Sequence, residues 1–351
     1  MKTSKQEKGI MTMMIIARLI AAVILVVTGM SASPVPARAA VWIPVGVATV
    51  CTLQPGCNPY DEANKTAAVG GRLTRIPVPW NLVQPYSAAS YDWSRVDAAV
   101  SGARNAGLMV LLVLYGPAPV WAQAPGVNPA GTGNPPADPR TFGTFAQATA
   151  QRYAPQVSAF EVWNEPNLPH YLQPPTAATY VPLLKAAYEG IRAAGAQQPV
   201  VSGGTSSSQD GTPDVTFLRD VYAAGGKPYF DAVGVHPYTF PNPITSSGSG
   251  VLINGYQIMQ ANGDAAKKMW ITEYGQPTGS SAVAVPEQQQ AQIIVDAIQR
   301  TQQLSWVGVF VVFNTRDLSA DPSVMDANFG LFRYDGSPKQ SAFALRSLLV
   351  G

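Results

Sequence analysis

Eight short apolar or β-branched runs recur between residues 45 and 313, and segments with helical periodicity separate them. The runs are VGVATV (45–50), RLTRIPV (72–78), MVLLVLY (109–115), AFEVWN (159–164), PVVSGG (199–204), AVGVHPY (232–238), KMWITEY (268–274) and VGVFVVF (307–313). Strand-length runs that alternate with helices argue for βαβ units and a parallel sheet. Two spacers, YDWSRVDAAVSGARNAG and TAATYVPLLKAAYEGIRAAG, end in Gly107 and Gly195, residues that suit helix C-termini. A third places Pro286 at a first helical turn, and a last helix is expected near 340–349. Eight such units predict an α/β fold with one (β/α)8 TIM barrel as the single domain over residues 40–351. A doubly wound open sheet is the alternative. No G-x-G-x-x-G follows the first run and no P-loop occurs, so the ligand such a sheet usually serves has no binding motif here.

Three long Pro-, Gly- and Ser-rich stretches follow the third, sixth and eighth runs: GPAPVWAQAPGVNPAGTGNPPADPR, TFPNPITSSGSG and LSADPSVMDANFG. Each stands after a strand and before a helix. In a barrel that is the face on which active sites are built.

Residues 1–39 read as a targeting segment. Lys2, Lys5, Lys8 and Arg18 precede an apolar run from Leu19 to Met30, and Ala37-Arg38-Ala39 is an A-x-A cleavage site. A signal anchor that stays in the membrane is the other reading, disfavoured because Arg18 shortens the apolar run. Secretion and no stable membrane insertion after cleavage are therefore expected, in the medium or the cell envelope. Removing the five basic residues and one acidic residue of that segment turns 23 Lys+Arg against 21 Asp+Glu into 18 against 20. A near-neutral chain without a basic face excludes nucleic acid as an expected partner. Cys51 and Cys57, the only cysteines, would meet an oxidising compartment, and a disulfide closing CTLQPGC is expected. Neither His170 nor His236 has ligand spacing to the other or to the cysteines, so no metal or other cofactor is expected.

Two of the runs end in a lone carboxylate. Glu165 closes FEVWNEPN and Glu273 closes MWITEYG, each beside a buried strand where an unpaired charge is expensive. In a barrel both would point into one mouth. Two carboxyl groups on opposite sides of an anomeric carbon are what glycosidic bond cleavage requires.

WNEPN after a fourth strand, HPY after a sixth and TEYG after a seventh resemble the retaining glycoside hydrolases of clan A. EVWNEPNLPHYL is most similar to glycoside hydrolase family 39 and its bacterial exopolysaccharide-hydrolase relatives. The resemblance extends over the whole chain after residue 39. It implies Glu165 as general acid/base, Glu273 as nucleophile, Asn164 on the sugar 2-hydroxyl and Arg75 as support for the nucleophile. The bland reading of Arg75 is a side chain snorkelling over the barrel rim. His236 and Tyr238, two apart on strand six, share a face, and one or both are expected to reach Glu273 or the sugar.

Aromatic faces pack on pyranose rings, so Trp80, Tyr115, Trp121, Tyr171, Tyr274 and Phe313 are candidate platforms, with core packing the alternative for each. Trp121 and Phe313 are carried forward as substrate-binding candidates, while Trp163 and Trp270 read as core. Many clan members carry tryptophan where VFVVFNTRD offers Phe313, which leaves the sugar identity open. The expected activity is hydrolysis of O-glycosidic, β-linked bonds in a polysaccharide or oligosaccharide by a monomer. A carbohydrate-binding envelope protein and a transglycosylase on the same barrel are the alternatives. The Ala/Pro/Gly-rich, lysine-poor composition is compatible with a bacterium of high GC content.

Overall fold

The computed structural model describes residues 43–351 apart from 209, 245 and 246, so the expected targeting segment 1–39 lies outside the described residues. Eight parallel strands close into a barrel in sequence order: β1 (Val45–Ala48), β2 (Leu73–Pro79), β3 (Met109–Tyr115), β4 (Ala159–Asn164), β5 (Val200–Ser206), β6 (Ala232–His236), β7 (Lys268–Tyr274) and β8 (Val307–Val312). Closure is direct, with β1 pairing β8 through Val45↔Phe310, Gly46↔Val311 and Val47↔Val312. The open-sheet alternative is thereby excluded.

Helices cover the outside. Pro59–Ala68, Ser94–Asn105, Pro139–Tyr153, Ala177–Ala193, Asp214–Ala223, Ser247–Ala261, Glu287–Thr301 and Gln340–Leu349 each follow a strand in turn. Their starts are chemically marked. Asn58 accepts from the Tyr60 and Asp61 amides, Asp138 from Arg140 and Thr176 from Thr179, which satisfies first-turn N–H groups that have no partner within the helix. Gly107 and Gly195 have φ of 74° and 81°, the left-handed conformation in which glycine carries no side-chain penalty. Among the described residues, no helix is long and apolar enough to cross a membrane.

The strands are buried on both faces, which explains their unbroken apolar runs. One apolar cluster lies between sheet and helices and includes Trp80, Phe142, Phe145, Trp163, Tyr180 and Phe310. The second fills the barrel interior with Ala48, Leu73, Leu111, Ala159, Val201, Ala232, Val309 and Val311, and half-buried Trp270 packs against it. Above this interior the inward-facing residues change character. Arg75 and Glu161 are buried among β-strands, and with them begins the polar mouth.

The Cys51–Cys57 disulfide is present, with an S–S distance of 2.03 Å. It closes the loop between β1 and the first helix.

Candidate active site

The backbone at the end of β4 departs from regular strand geometry. Trp163 and Glu165 have φ of 73° and 42°, a left-handed conformation that costs a non-glycine residue about 1–3 kcal/mol. Asn167 holds this turn. Its amide donates to the Ser206 and Thr212 carbonyls at 2.8 and 2.9 Å, and its Oδ1 accepts the Ser206 amide at 2.9 Å. Glu165 is also tied to β5 by its own amide, which donates to the Gly204 carbonyl at 3.0 Å. Two consecutive strand residues normally point to opposite faces. Here the turn brings Asn164 and Glu165 into the same mouth.

Arg75 is the hub. It is only 3 % exposed and lies inside the barrel, which corrects the rim-snorkelling alternative. Each guanidinium nitrogen has a separate acceptor: Nε donates to Glu161 Oε2 at 2.6 Å, Nη1 to Glu273 Oε1 at 2.5 Å and Nη2 to Asn164 Oδ1 at 2.8 Å. Burial alone would lower its pKa, but the Glu161 and Glu273 carboxylates outweigh burial and raise it, so the charge is permanent.

Glu273 Oε2 accepts the Tyr238 hydroxyl at 3.0 Å. Burial, then the charges of Glu273 and Glu165, push the Tyr238 phenol well above its ordinary value, so it remains a donor. β6 ends at His236, so Tyr238 lies just beyond the strand. His236 Nδ1 stands 3.0 Å from Glu165 Oε1 and 3.7 Å from Glu273 Oε2, between the two carboxylates. Glu165 and Glu273 are themselves 7 % and 8 % exposed.

The structure thus brings together Arg75, Asn164, Glu165, His236, Tyr238 and Glu273. Tyr115 and Tyr171 sit edge to face at 6.1 Å and belong to the same mouth. Their phenols are raised, by burial first, and both carboxylates contribute. Phe313 stands edge-on to Phe329 at 5.6 Å, and Phe329 meets Tyr238 at 6.0 Å, so Phe313 joins an aromatic wall beside the site. Trp121 has other contacts: its indole donates to the Gln84 carbonyl at 2.8 Å and its ring meets Trp80 edge to face. It is half-buried on the β3 loop. Trp80 and Tyr274 are at most 1 % exposed, so neither offers a ring to a sugar, and core packing is the correct reading of both.

Three residues not expected from the sequence complete the site. Asn167 clamps the β4 turn. Glu161, fully buried in mid-strand, accepts Arg75, the Gly204 amide at 3.0 Å and the Thr272 hydroxyl at 2.8 Å. Thr272 in turn meets His236 Nε2 at 3.0 Å. Glu161 carries a legible signal, an acidic residue within an apolar strand four positions before Glu165, matched by a lone arginine in β2. Thr272 carries none.

One donor atom each from Glu165, His236 and Glu273 lies within 4.8 Å of the others, a spacing a divalent cation could use. These donors are already engaged with one another, with Arg75 and with Tyr238. A guanidinium on the same carboxylate repels a second cation. The residues fit a hydrogen-bonded network better than a metal cage.

Comparisons with known proteins bear on the family and the fold. Residues 55–310 match the family model described as Cellulase (glycosyl hydrolase family 5). The manganese dependent endoglucanase Eg5A of Phanerodontia chrysosporium is 27% identical over 224 residues, 59% of this chain and 54% of the relative. The chain therefore spans about half the length of that curated relative. Among solved structures, a family 39 glycoside hydrolase from Bacteroides cellulosilyticus superposes with a TM-score of 0.70 at 22% identity, covering 87% of this chain and 63% of that one. A family 39 enzyme from Xanthomonas axonopodis pv. citri gives 0.69 at 19%, covering 88% and 66%. A monomeric beta-xylosidase from Caulobacter crescentus gives 0.66 at 19%, covering 87% and 67%. At these identities the superpositions establish the barrel alone.

Proposed function

The chain belongs to the cellulase family, glycosyl hydrolase family 5, and on that footing we propose that it is a secreted retaining glycosidase acting on a β-linked polysaccharide or oligosaccharide. Glu165 is the general acid/base and Glu273 the nucleophile. The observation that carries this reading is the separation of the two carboxylates. An oxygen of each lies within 4.8 Å of the other, near the roughly 5–5.5 Å of retaining enzymes and short of the roughly 6.5–9.5 Å that an inverting water needs.

The environments support the division of labour. Glu273 accepts a permanent cation on one oxygen and a phenol on the other, contacts that hold a nucleophilic carboxylate in place. Among the described residues, the Glu165 carboxylate hydrogen-bonds His236 through Oε1, which leaves its second oxygen for the leaving group. In the first step Glu165 gives its proton to the glycosidic oxygen while Glu273 attacks the anomeric carbon. The bond to the departing sugar breaks and a glycosyl ester forms. In the second step the Glu165 carboxylate takes a proton from water, the water oxygen attacks the same carbon, and Glu273 is released. With its Oδ1 engaged by Arg75, Asn164 presents its amide N–H groups to the sugar 2-hydroxyl.

One of the structural neighbours is a beta-xylosidase, which favours a β linkage here. An oxidised cysteine pair supports export, and an exported enzyme would meet an envelope or matrix glycan. Early-time proton NMR of the hydrolysis tests the reading. The first-formed sugar should keep the anomeric configuration of the substrate, and an inverted first product would overturn the double displacement.

A further inference from the structure

A chain of hydrogen bonds ends on His236, and its proton count is set from the far end. There Glu161 faces Arg75 Nε and the Gly204 amide, two groups that can only donate. Glu161 therefore serves as a carboxylate and accepts its third partner, the Thr272 hydroxyl. A hydroxyl carries one hydrogen. With that hydrogen directed at Glu161, Thr272 Oγ1 has only lone pairs to offer His236 Nε2, so the ring nitrogen must bring the proton to their 3.0 Å contact. Among the described residues, Nε2 has no hydrogen-bond partner besides Thr272. His236 is fully buried, and a Cβ added at Gly204 would lie 2.2 Å from Nε2 and 2.6 Å from Thr272 Oγ1.

We propose that Glu161 and Thr272 are positioning residues that lock the proton of His236 on Nε2, so that Nδ1 and Glu165 share a single proton. The inference rests on the acid/base reading of Glu165 and deepens it. With Nε2 always protonated, Nδ1 can donate to Glu165 only as an imidazolium. When the ring is neutral, Nδ1 is a lone pair and the shared proton sits on Glu165. The neutral tautomer with hydrogen on Nδ1, which would hold Glu165 as a carboxylate and deprive it of its acid form, is excluded.

The groups facing the ring support this arrangement. Glu165 approaches from β4, Glu273 and Thr272 from β7, Arg75 from β2 and Tyr238 from just beyond β6. Burial disfavours the imidazolium, but the Glu273 and Glu165 charges outweigh it and raise the pKa above the ordinary value of 6.5, against the opposing charge of Arg75. The ring thus keeps its proton to higher pH than a free imidazole would.

The chain has two histidines, so in His170→Gln the ring of His236 is the only one left to observe. His170 is exposed and meets Thr132 and the edge of the Tyr171 ring, neither of them a member of this hydrogen-bond chain. Nitrogen-15 correlation spectra of that protein across pH should show Nε2 protonated throughout, with only Nδ1 titrating. Added Thr272→Val should move the neutral proton to Nδ1 and shift the alkaline limb of the kcat/KM profile down by about one pH unit. Thr272→Ser, which restores the hydroxyl, should return both to their original state. A neutral wild-type ring protonated on Nδ1, or a Thr272→Val protein whose tautomer is unchanged, would overturn the proposal. The spectra need no substrate. If no glycoside is hydrolysed but the tautomer pattern appears, the glycosidase reading fails while the lock stands.

Discussion

Asn164 and Glu165 are neighbours in the chain, yet both side chains enter the barrel mouth, one accepting Arg75 Nη2 at 2.8 Å and the other facing His236 Nδ1 at 3.0 Å. The left-handed backbone of Trp163 and Glu165 makes this possible. Thr272 and Glu273 repeat the arrangement across the barrel, where the β7–β8 register shifts between Ile271 and Tyr274. Irregular backbone at two strand ends converts one-sided strands into two-residue donors to a single site.

The roles of the two carboxylates can be separated with azide. Glu273→Ala should lose hydrolysis of every substrate whatever its leaving group. Glu165→Ala should still form the glycosyl-enzyme from an aryl glycoside with an acidic phenol, and azide should then accelerate turnover and yield a glycosyl azide of retained configuration. A retained azide from Glu273→Ala instead would mean that the assignment is reversed.

Tyr238→Phe removes the phenol that donates to Glu273 Oε2 and nothing else of comparable size. Hydrogen bonds to charged groups contribute about 1.5–3 kcal/mol, so kcat/KM should fall roughly 10- to 150-fold. Thermal unfolding should change little. An unaltered rate would remove Tyr238 from the positioning of Glu273.

His236 also predicts how stability responds to pH. Its folded pKa is raised, because Glu273 and Glu165 outweigh burial, so its stabilising contribution is present below the unfolded value of about 6.5 and is lost as pH rises through the folded value. Urea unfolding of wild type and His236→Asn should therefore converge on the alkaline side, the difference being largest below pH 6.5. A difference that grows with pH would contradict the sign.

Replacing Cys51 and Cys57 by serine opens a loop with a sequence separation of 6. For so short a loop the chain-entropy model gives about 2–3 kcal/mol, so the midpoint of unfolding should drop without loss of the fold. Alkylation of the unreduced wild-type protein should label no cysteine.

From the sequence alone, the eight-fold alternation determined the barrel, because strands buried on both faces must be apolar throughout and the crossover helices must fill the spacers. Glu165 and Glu273 were legible for a related reason: a lone charge closing an apolar strand has no place in a core, so it must face a mouth. Tertiary structure alone decided what surrounds them. Glu161 carries the same side chain as Glu165 four residues on, but closure of β2 against β4 through β3 brings Arg75 to it and makes it a support for the site. Thr272 became a link to His236 only because β6 and β7 lie side by side and Gly204 leaves the space between them. Trp80 and Trp121 show the same limit. Both follow strands that lead to the mouth, and only the packing of Phe142 and Phe145 beneath Trp80 buries one ring while the other remains partly exposed. Strand-end position is a property of the local chain, whereas partner and burial depend on residues tens to hundreds of positions away, brought into contact by closure of the barrel.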